Sequence, residues 1–316
     1  MRTYVLYHSN CQDGLGAKYA AWKKFGDQAT YIPVQYGQPL PEITTYLPWD
    51  EIKVGEEFYV DSIYGLDVKT ADAPASSSGM VCRVPVEVYI LDFSYPRDVL
   101  EELRSRVTKL VILDHHKTAK EALEGFSGAH FDMHKSGAVL AWEFFHPDTE
   151  VPELLQYVQD RDLGTWKLED TRAVTAALPL LKGDMKAWDA YVTHPKSLNS
   201  LIQQGETLLA ADDIKIENAL KNVKVLPYKG YRVGVMNTTT LHSEIGNAVC
   251  KDEELGVDFS LTYFFDTDGQ PVLSFRSIGD FDVSVLAKEL GGGGHRNASG
   301  ARVSFDFIQQ LYQGLL

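Results

Sequence analysis

Cysteine is scarce in this chain: Cys11, Cys82 and Cys250 are the only three among 316 residues, an odd number at wide spacings. That excludes a disulfide framework and a zinc-knuckle pattern, and it suits a reducing compartment. Basic residues are also short, with 30 Lys and Arg against 44 Asp and Glu and a formal charge of -14. Such a balance argues against broad binding to long nucleic acids, which requires many cationic contacts to phosphate. A small anionic substrate stays compatible with it where metal ions neutralise charge locally. No apolar run approaches the about 20 residues of a membrane-spanning helix, and Met1 to His8 lacks the apolar core of a signal peptide. The expectation is a soluble cytoplasmic protein without membrane association.

What the chain does have is enough length and apolar content for two domains of common size. Its most informative stretch is Leu110 to Leu113, an apolar run that reads as a buried parallel strand and ends in Asp114, His115 and His116. The C-terminal edge of an open α/β sheet is where ligands bind. Imidazoles beside a carboxylate suit a borderline divalent cation. By itself the tripeptide fits a merely polar strand exit equally well.

Other strands end in the same way. Thr3 to Tyr7 reads as a strand, His8 to Gly14 as a turn containing Cys11 and Asp13, and Leu15 to Phe25 as a helix. Gly14 and Gly16 allow close backbone approach there. Thr30 to Val34 reads as an edge or irregular strand because of Pro33. A short strand at Glu57 to Val60 ends at Asp61, and Thr70 to Gly79 reads as an inserted loop. Val86 to Leu91 is a stronger strand ending at Asp92, with a helix beginning at Pro96. Strands ending at His8, Asp92 and Asp114 thus put potential ligands at one edge, with Asp61 as the rival of Asp92.

The set His8, Asp13, Asp92, Asp114-His115-His116 and Asp160 resembles that of the DHH phosphoesterases. This family includes RecJ-like exonucleases, nanoRNA-degrading enzymes, cyclic-dinucleotide phosphodiesterases and pyrophosphatases. The resemblance implies a two-metal site in which His8 binds one ion, Asp13 the other, and Asp92 bridges them. His115 and Asp160 would complete the second ion's ligands, with Asp162 the weaker alternative to Asp160. His116 would face substrate phosphate, and Asp114 would orient the histidines. The family's first turn carries Asp-x-Asp, whereas Cys11 stands two residues before Asp13 here. Cys11 is open to several readings: a thiolate ligand, a place filled by water, a weak first site, or simply a small buried residue.

Farther on, Ser136 reads as the N-cap of a buried helix from Val139 to Phe145. With Lys135 it could contact phosphate, although capping alone explains it. Ser197 to Lys221 has a broad apolar face and reads as a long linking helix or dimer contact. The last segment alternates strands (Tyr231 to Met236, Phe259 to Phe265, Val272 to Arg276) with helices (His242 to Cys250, Val283 to Leu290), and Asp266 to Gly269 supplies a hairpin turn. Gly291 to Gly294 followed by His295 resembles the GGGH element of the DHHA1 substrate-binding domain. That resemblance makes His295, Arg276, Gly293, Gly294 and, less securely, Asn297 substrate-binding candidates.

The expected architecture is therefore α/β: residues 1–195 form a metal-binding domain with a mostly parallel sheet, 196–222 a linker helix, and 223–316 a smaller α/β substrate-binding domain. Substrate would lie between the two domains. The implied activity is hydrolysis of short oligonucleotides to nucleoside monophosphates, extending to pAp. The alternatives are a cyclic- or linear-dinucleotide phosphodiesterase, or a nucleotide-binding module with a degenerate first metal site. Two Mn²⁺ ions per chain are expected, with Mg²⁺, Co²⁺ or Zn²⁺ as substitutes, and a homodimer is left open.

Overall fold

The computed structural model of the chain describes residues 1–9, 11–43, 46–48, 68–70, 80–83 and 85–316. The strand expected at Glu57 to Val60, Asp61 after it, and the inserted loop beyond Thr70 lie outside the described residues. The chain divides into two compact units, Met1–Glu206 and Thr207–Leu316.

Unit 1 opens with β1 (Arg2–His8), α1 (Gln12–Phe25) and β2 (Ala29–Val34). Three short strands follow, β3 (Tyr46–Pro48), β4 (Val68–Thr70) and β5 (Met80–Arg83), which pair with one another in the order β3-β5-β4. Next come β6 (Val86–Leu91), α2 (Arg97–Arg106), β7 (Lys109–Asp114), α3 (Lys117–Ala122) and β8 (Ala129–Phe131). Helices α4 (Gly137–Phe145), α5 (Glu153–Asp162), α6 (Thr171–Ala177) and α7 (Met185–Thr193) complete it, and α8 (Pro195–Leu220) runs from unit 1 into unit 2.

The main sheet has the order β2-β1-β6-β7-β8 and is parallel throughout. Tyr4 to Tyr7 of β1, Val88 to Leu91 of β6 and Leu110 to Leu113 of β7 are all buried, as near-continuous apolar runs should be when helices cover both faces. Pro33 sits on β2, an edge strand, where a missing N–H costs the least pairing. Along the sheet the chain's direction of growth reverses between β1 and β6. That switch point opens a crevice at the strands' carboxyl ends, so His8 and Asp92 flank it.

Helix α1 can start so close to β1 only because residue 14 is glycine. A Cβ there would lie 2.0 Å from the His8 carbonyl oxygen. Gly16 serves the next layer, where a Cβ would come within 2.7 Å of Ala138 Cβ on α4.

Unit 2 contains β9 (Lys224–Tyr228), β10 (Tyr231–Asn237), α9 (His242–Lys251), β11 (Phe259–Phe265), β12 (Pro271–Arg276), α10 (Val283–Glu289), β13 (Gly293–His295), β14 (Ala298–Arg302) and α11 (Phe305–Gln313). Its sheet has the order β13-β14-β12-β11-β10-β9, with only β10 and β11 parallel. Phe259, Phe275, Leu261 and Val235 form the centre of a core separate from that of unit 1. Asp266 closes the β11–β12 hairpin by accepting from the N–H groups of Asp268 and Gln270. Among the described residues no helix is long and apolar enough to cross a membrane.

Gly14→Ala is expected to cost about 2–3 kcal/mol or more, because the clash is with backbone rather than with a side chain that can turn away. Urea denaturation checks this, and a loss below about 0.5 kcal/mol, the ordinary scale of an innocuous substitution, would contradict it.

Candidate functional site

Asp92 follows the last residue of β6 and takes a left-handed backbone conformation, with φ 66°. Aspartate tolerates this conformation better than most residues, yet it remains strained. Its N–H donates to the Leu113 carbonyl at 2.8 Å, which fixes the bend. The side chain is 1% exposed, and neither carboxylate oxygen has a hydrogen-bond partner. His115 Nε2 lies 3.2 Å from Oδ1 and His8 Nδ1 3.5 Å from Oδ2, contacts without hydrogen-bond alignment. A buried charge left in this state is costly, and metal coordination is one of the few arrangements that offset it.

Gly137 makes room for this carboxylate. A Cβ at position 137 would lie 2.6 Å from Asp92 Cβ and 2.7 Å from its Oδ1. The same helix start holds Asp13, whose Oδ2 accepts from Gly137 N at 2.5 Å and Oδ1 from Ala138 N at 2.9 Å. The positive end of α4 thus anchors a second buried carboxylate. Burial and the neighbouring Asp92 and Asp162 push the Asp13 carboxyl well above its ordinary range. For Asp92, burial pushes upward too, but His115, His8 and Asp13 outweigh it and hold the group below that range. Two close carboxylates separate in this way because they resist ionising together.

His115 Nε2 also lies 3.6 Å from Asp13 Oδ2 and 3.6 Å from Asp162 Oδ2. Burial pulls its pKa down, yet Asp92, Asp13 and Asp162 together raise it to about 9. One imidazole nitrogen therefore faces three carboxylates, and its protonated form offsets part of their charge. Asp13, His115 and Asp162 form one group able to hold a metal ion, and His8, Cys11 and Asp92 form another. Asp92 also groups with His115 and His116, which puts it at the centre of the cluster. Burial and then Asp92 push the Cys11 thiol up to about 12.

Asp114 is fully buried and turned away from that cluster. It accepts from Ser94 Oγ (2.6 Å), His115 N (2.7 Å) and His116 N (3.1 Å), and pairs with His116 Nδ1 at 2.7 Å. It fixes the backbone of both histidines and the ring of one. With Nδ1 engaged, His116 presents Nε2, and the Asp114 contact raises its pKa. The Tyr36 hydroxyl lies 3.2 Å from that Nε2, while its ring stands 4.6 Å, centroid to centroid, from His8. Tyr36 escaped the sequence reading. It lies two residues beyond β2, at the strand edge that supplies the other residues, and that rule alone would have found it.

Asp160, expected to complete the second ion's ligands, has a carboxylate that accepts from Thr165 Oγ1, Lys167 N, Leu168 N and Thr171 Oγ1. Burial raises its pKa, but these four donors hold it well below the carboxylate range. A carboxylate so saturated ties the loop after α5 and has no lone pair to spare. Asp162, just over half a turn farther along α5, is the one that reaches His115. Lys135 is also engaged elsewhere, pairing with Glu143 at 2.7 Å. Ser136 is buried as the N-cap of α4, its Oγ accepting from Val139 N and its N–H donating to Gln159.

A cleft of about 740 Å³ opens beside Cys11, Asp13 and Asp162, with Lys18, Arg161 and Lys182 on its walls. In unit 2, Arg276 is held by Ser243 Oγ at 2.6 Å and Ser274 Oγ at 3.0 Å. His295 is exposed on β13. Asn297 donates to Ser277 Oγ and the Gly279 carbonyl, so its amide braces a turn. The glycine run is not a loose loop. A Cβ at Gly294, where φ is 142°, would lie 2.5 Å from the Ala298 carbonyl oxygen, whereas Gly293 has open space.

The chain is 27% identical over 308 residues to an uncharacterized protein of Acanthamoeba polyphaga mimivirus, covering 95% of this chain and 67% of that one. It is 26% identical over 250 residues to the oligoribonuclease NrnB of Bacillus subtilis, covering 71% of this chain and 61% of the relative. These similarities agree with the resemblance to the DHH/DHHA1 phosphoesterases carried by the sequence motifs. No protein-family model matches it. Among solved structures, a pGpG-specific phosphodiesterase, PggH, of Vibrio cholerae superposes over 100% of this chain and 97% of that one, with a TM-score of 0.52 at 13% identity, a likeness of fold. The match thus spans about three fifths to two thirds of the length of these two curated relatives.

Asp160→Asn is expected to lower stability by roughly 2–4 kcal/mol through the buried donors it leaves imperfectly paired, with metal stoichiometry unchanged in the folded protein. Asp162→Asn should do the reverse, keeping stability and weakening the second ion. Denaturation and calorimetric metal titration of both variants check the assignment, and the opposite pattern would restore Asp160 as the ligand.

Proposed function

We propose that this chain is a metal-dependent phosphodiesterase that hydrolyses short oligonucleotides to nucleoside monophosphates, with manganese as its metal. The observation that carries the reading is the buried carboxylate cluster around Asp92, whose oxygens have no hydrogen-bond partner and around which three ligand groups lie. Mixed imidazole and carboxylate donors suit Mn²⁺ better than Mg²⁺. When bound, a pair of ions would supply Lewis acidity and an activated water for in-line attack on phosphorus.

The protein's own groups do the rest. Asp92 belongs with His8 and Cys11 and also with His115 and His116, which supports a bridging role, and Asp13 is locked in position by the α4 amides. His116, oriented by Asp114, offers Nε2 to a phosphoryl oxygen, and Tyr36 stands beside it. Lys18, Arg161 and Lys182 give an otherwise acidic chain a local cationic lining for a few phosphates. That scale favours short substrates over long duplexes, and the oligoribonuclease named among the relatives supports the same class. In unit 2, Arg276 and exposed His295 are the groups offered for substrate binding.

The test is a manganese-supplemented screen of short RNA, short DNA, cyclic dinucleotides, pAp and pyrophosphate with product identification. Release of mononucleotides from di- to pentanucleotides is expected, with His115→Ala lowering kcat by roughly two orders of magnitude or more. Preferential turnover of pyrophosphate, or metal binding without any hydrolysis of short oligonucleotides, would overturn the proposal.

A further inference from the structure

Two of the three ligand groups in this cluster are chemically unequal. Asp13, His115 and Asp162 offer only nitrogen and oxygen, whereas His8, Cys11 and Asp92 include a sulfur. In the second group one ligand atom from each residue lies within 4.8 Å of the others. These spacings are within small side-chain adjustments of one ion held at about 2.0–2.3 Å from N, O and S donors.

A cysteine near a carboxylate would mean little alone. Here an independent observation points into the same space, because Asp92 is 1% exposed and its Oδ2, 3.5 Å from His8 Nδ1, has no hydrogen-bond partner. Cys11 is also anchored. It immediately precedes α1, and its carbonyl accepts from Leu15 N at 3.1 Å, so the side chain starts from a fixed point beside His8. No disulfide claims the sulfur among the described residues.

We propose that His8, Cys11 and Asp92 form a thiophilic site, so that the centre is built for two different ions: a soft or borderline one, Zn²⁺ or Fe²⁺ in class, at Cys11, and Mn²⁺ at Asp13, His115 and Asp162. This rests on the two-metal reading above. Thiolate ligands select softer cations, and carboxylate-rich sets suit Mn²⁺. Binding would form a metal–sulfur bond and release the thiol proton to water. The substitution of Cys for a carboxylate then tunes the site instead of destroying it.

Cobalt serves as the probe because a Co²⁺–thiolate bond gives an intense near-ultraviolet charge-transfer band that N and O ligands do not. Full-length protein stripped of metal and titrated with Co²⁺ is expected to bind two ions per chain and develop this band. Cys11→Asp and Cys11→Ser should lose the band, and Cys11→Asp should keep two ions while its preference for Zn²⁺ over Mn²⁺ falls about tenfold or more. Circular dichroism confirms that each variant is folded, and His115→Ala should retain the band. Two bound Co²⁺ ions without a charge-transfer band would overturn the thiolate site and leave the two-metal reading standing. No Co²⁺ binding at all would overturn both.

Discussion

The structure depends on the burial of Asp92 without hydrogen-bond donors. A carboxylate 1% exposed between two histidines and another buried acid is unfavourable in an apolar interior, and nearby features serve to keep it there. Gly137 leaves the space, the left-handed bend after β6 aims the side chain, and the Leu113 carbonyl holds the bend. The amide groups at the start of α4 secure Asp13 alongside. Stability is given up at one point of the sheet edge, and the adjoining layers restore it through Gly14, Gly16 and the fully buried strands.

The same arrangement separates the buried carboxylates by what they face. Asp114 and Asp160 are as buried as Asp92, yet each is surrounded by donors. Asp114 faces the backbone of the two histidines, and Asp160 faces the loop beyond α5. Among the described buried aspartates, Asp13, Asp114 and Asp160 accept from several donors, whereas the oxygens of Asp92 have no hydrogen-bond partner. Asp162 reaches His115 because the short helical step from Asp160 turns it toward a different neighbour.

Much of this was legible in the sequence. Apolar runs ending in acids and imidazoles revealed the parallel sheet and the edge where His8, Asp92 and Asp114 stand, since a strand buried on both faces has a simple signature. The strands of unit 2 and the Asp266 turn were readable for the same reason. The different surroundings of Asp160 and Asp162 were not, because both lie in one polar helical end and only the loop after Leu163 shows which is saturated with donors. Gly137 and Tyr36 also escaped notice. The need for a glycine arises from a residue 45 positions away in the chain, counted from Asp92 to Gly137, and the tyrosine meets His116 across the gap between strand ends.

The central claim, that the buried Asp92 carboxylate exists to bind a cation, is tested most directly by thermal unfolding of wild-type and Asp92→Asn protein with and without Mn²⁺. A ligand that binds only the folded state raises its melting temperature. The account predicts that metal-free Asp92→Asn is at least as stable as metal-free wild type, and that Mn²⁺ stabilises the wild type but leaves the variant nearly unchanged. Equal stabilisation of both proteins by Mn²⁺ would contradict it.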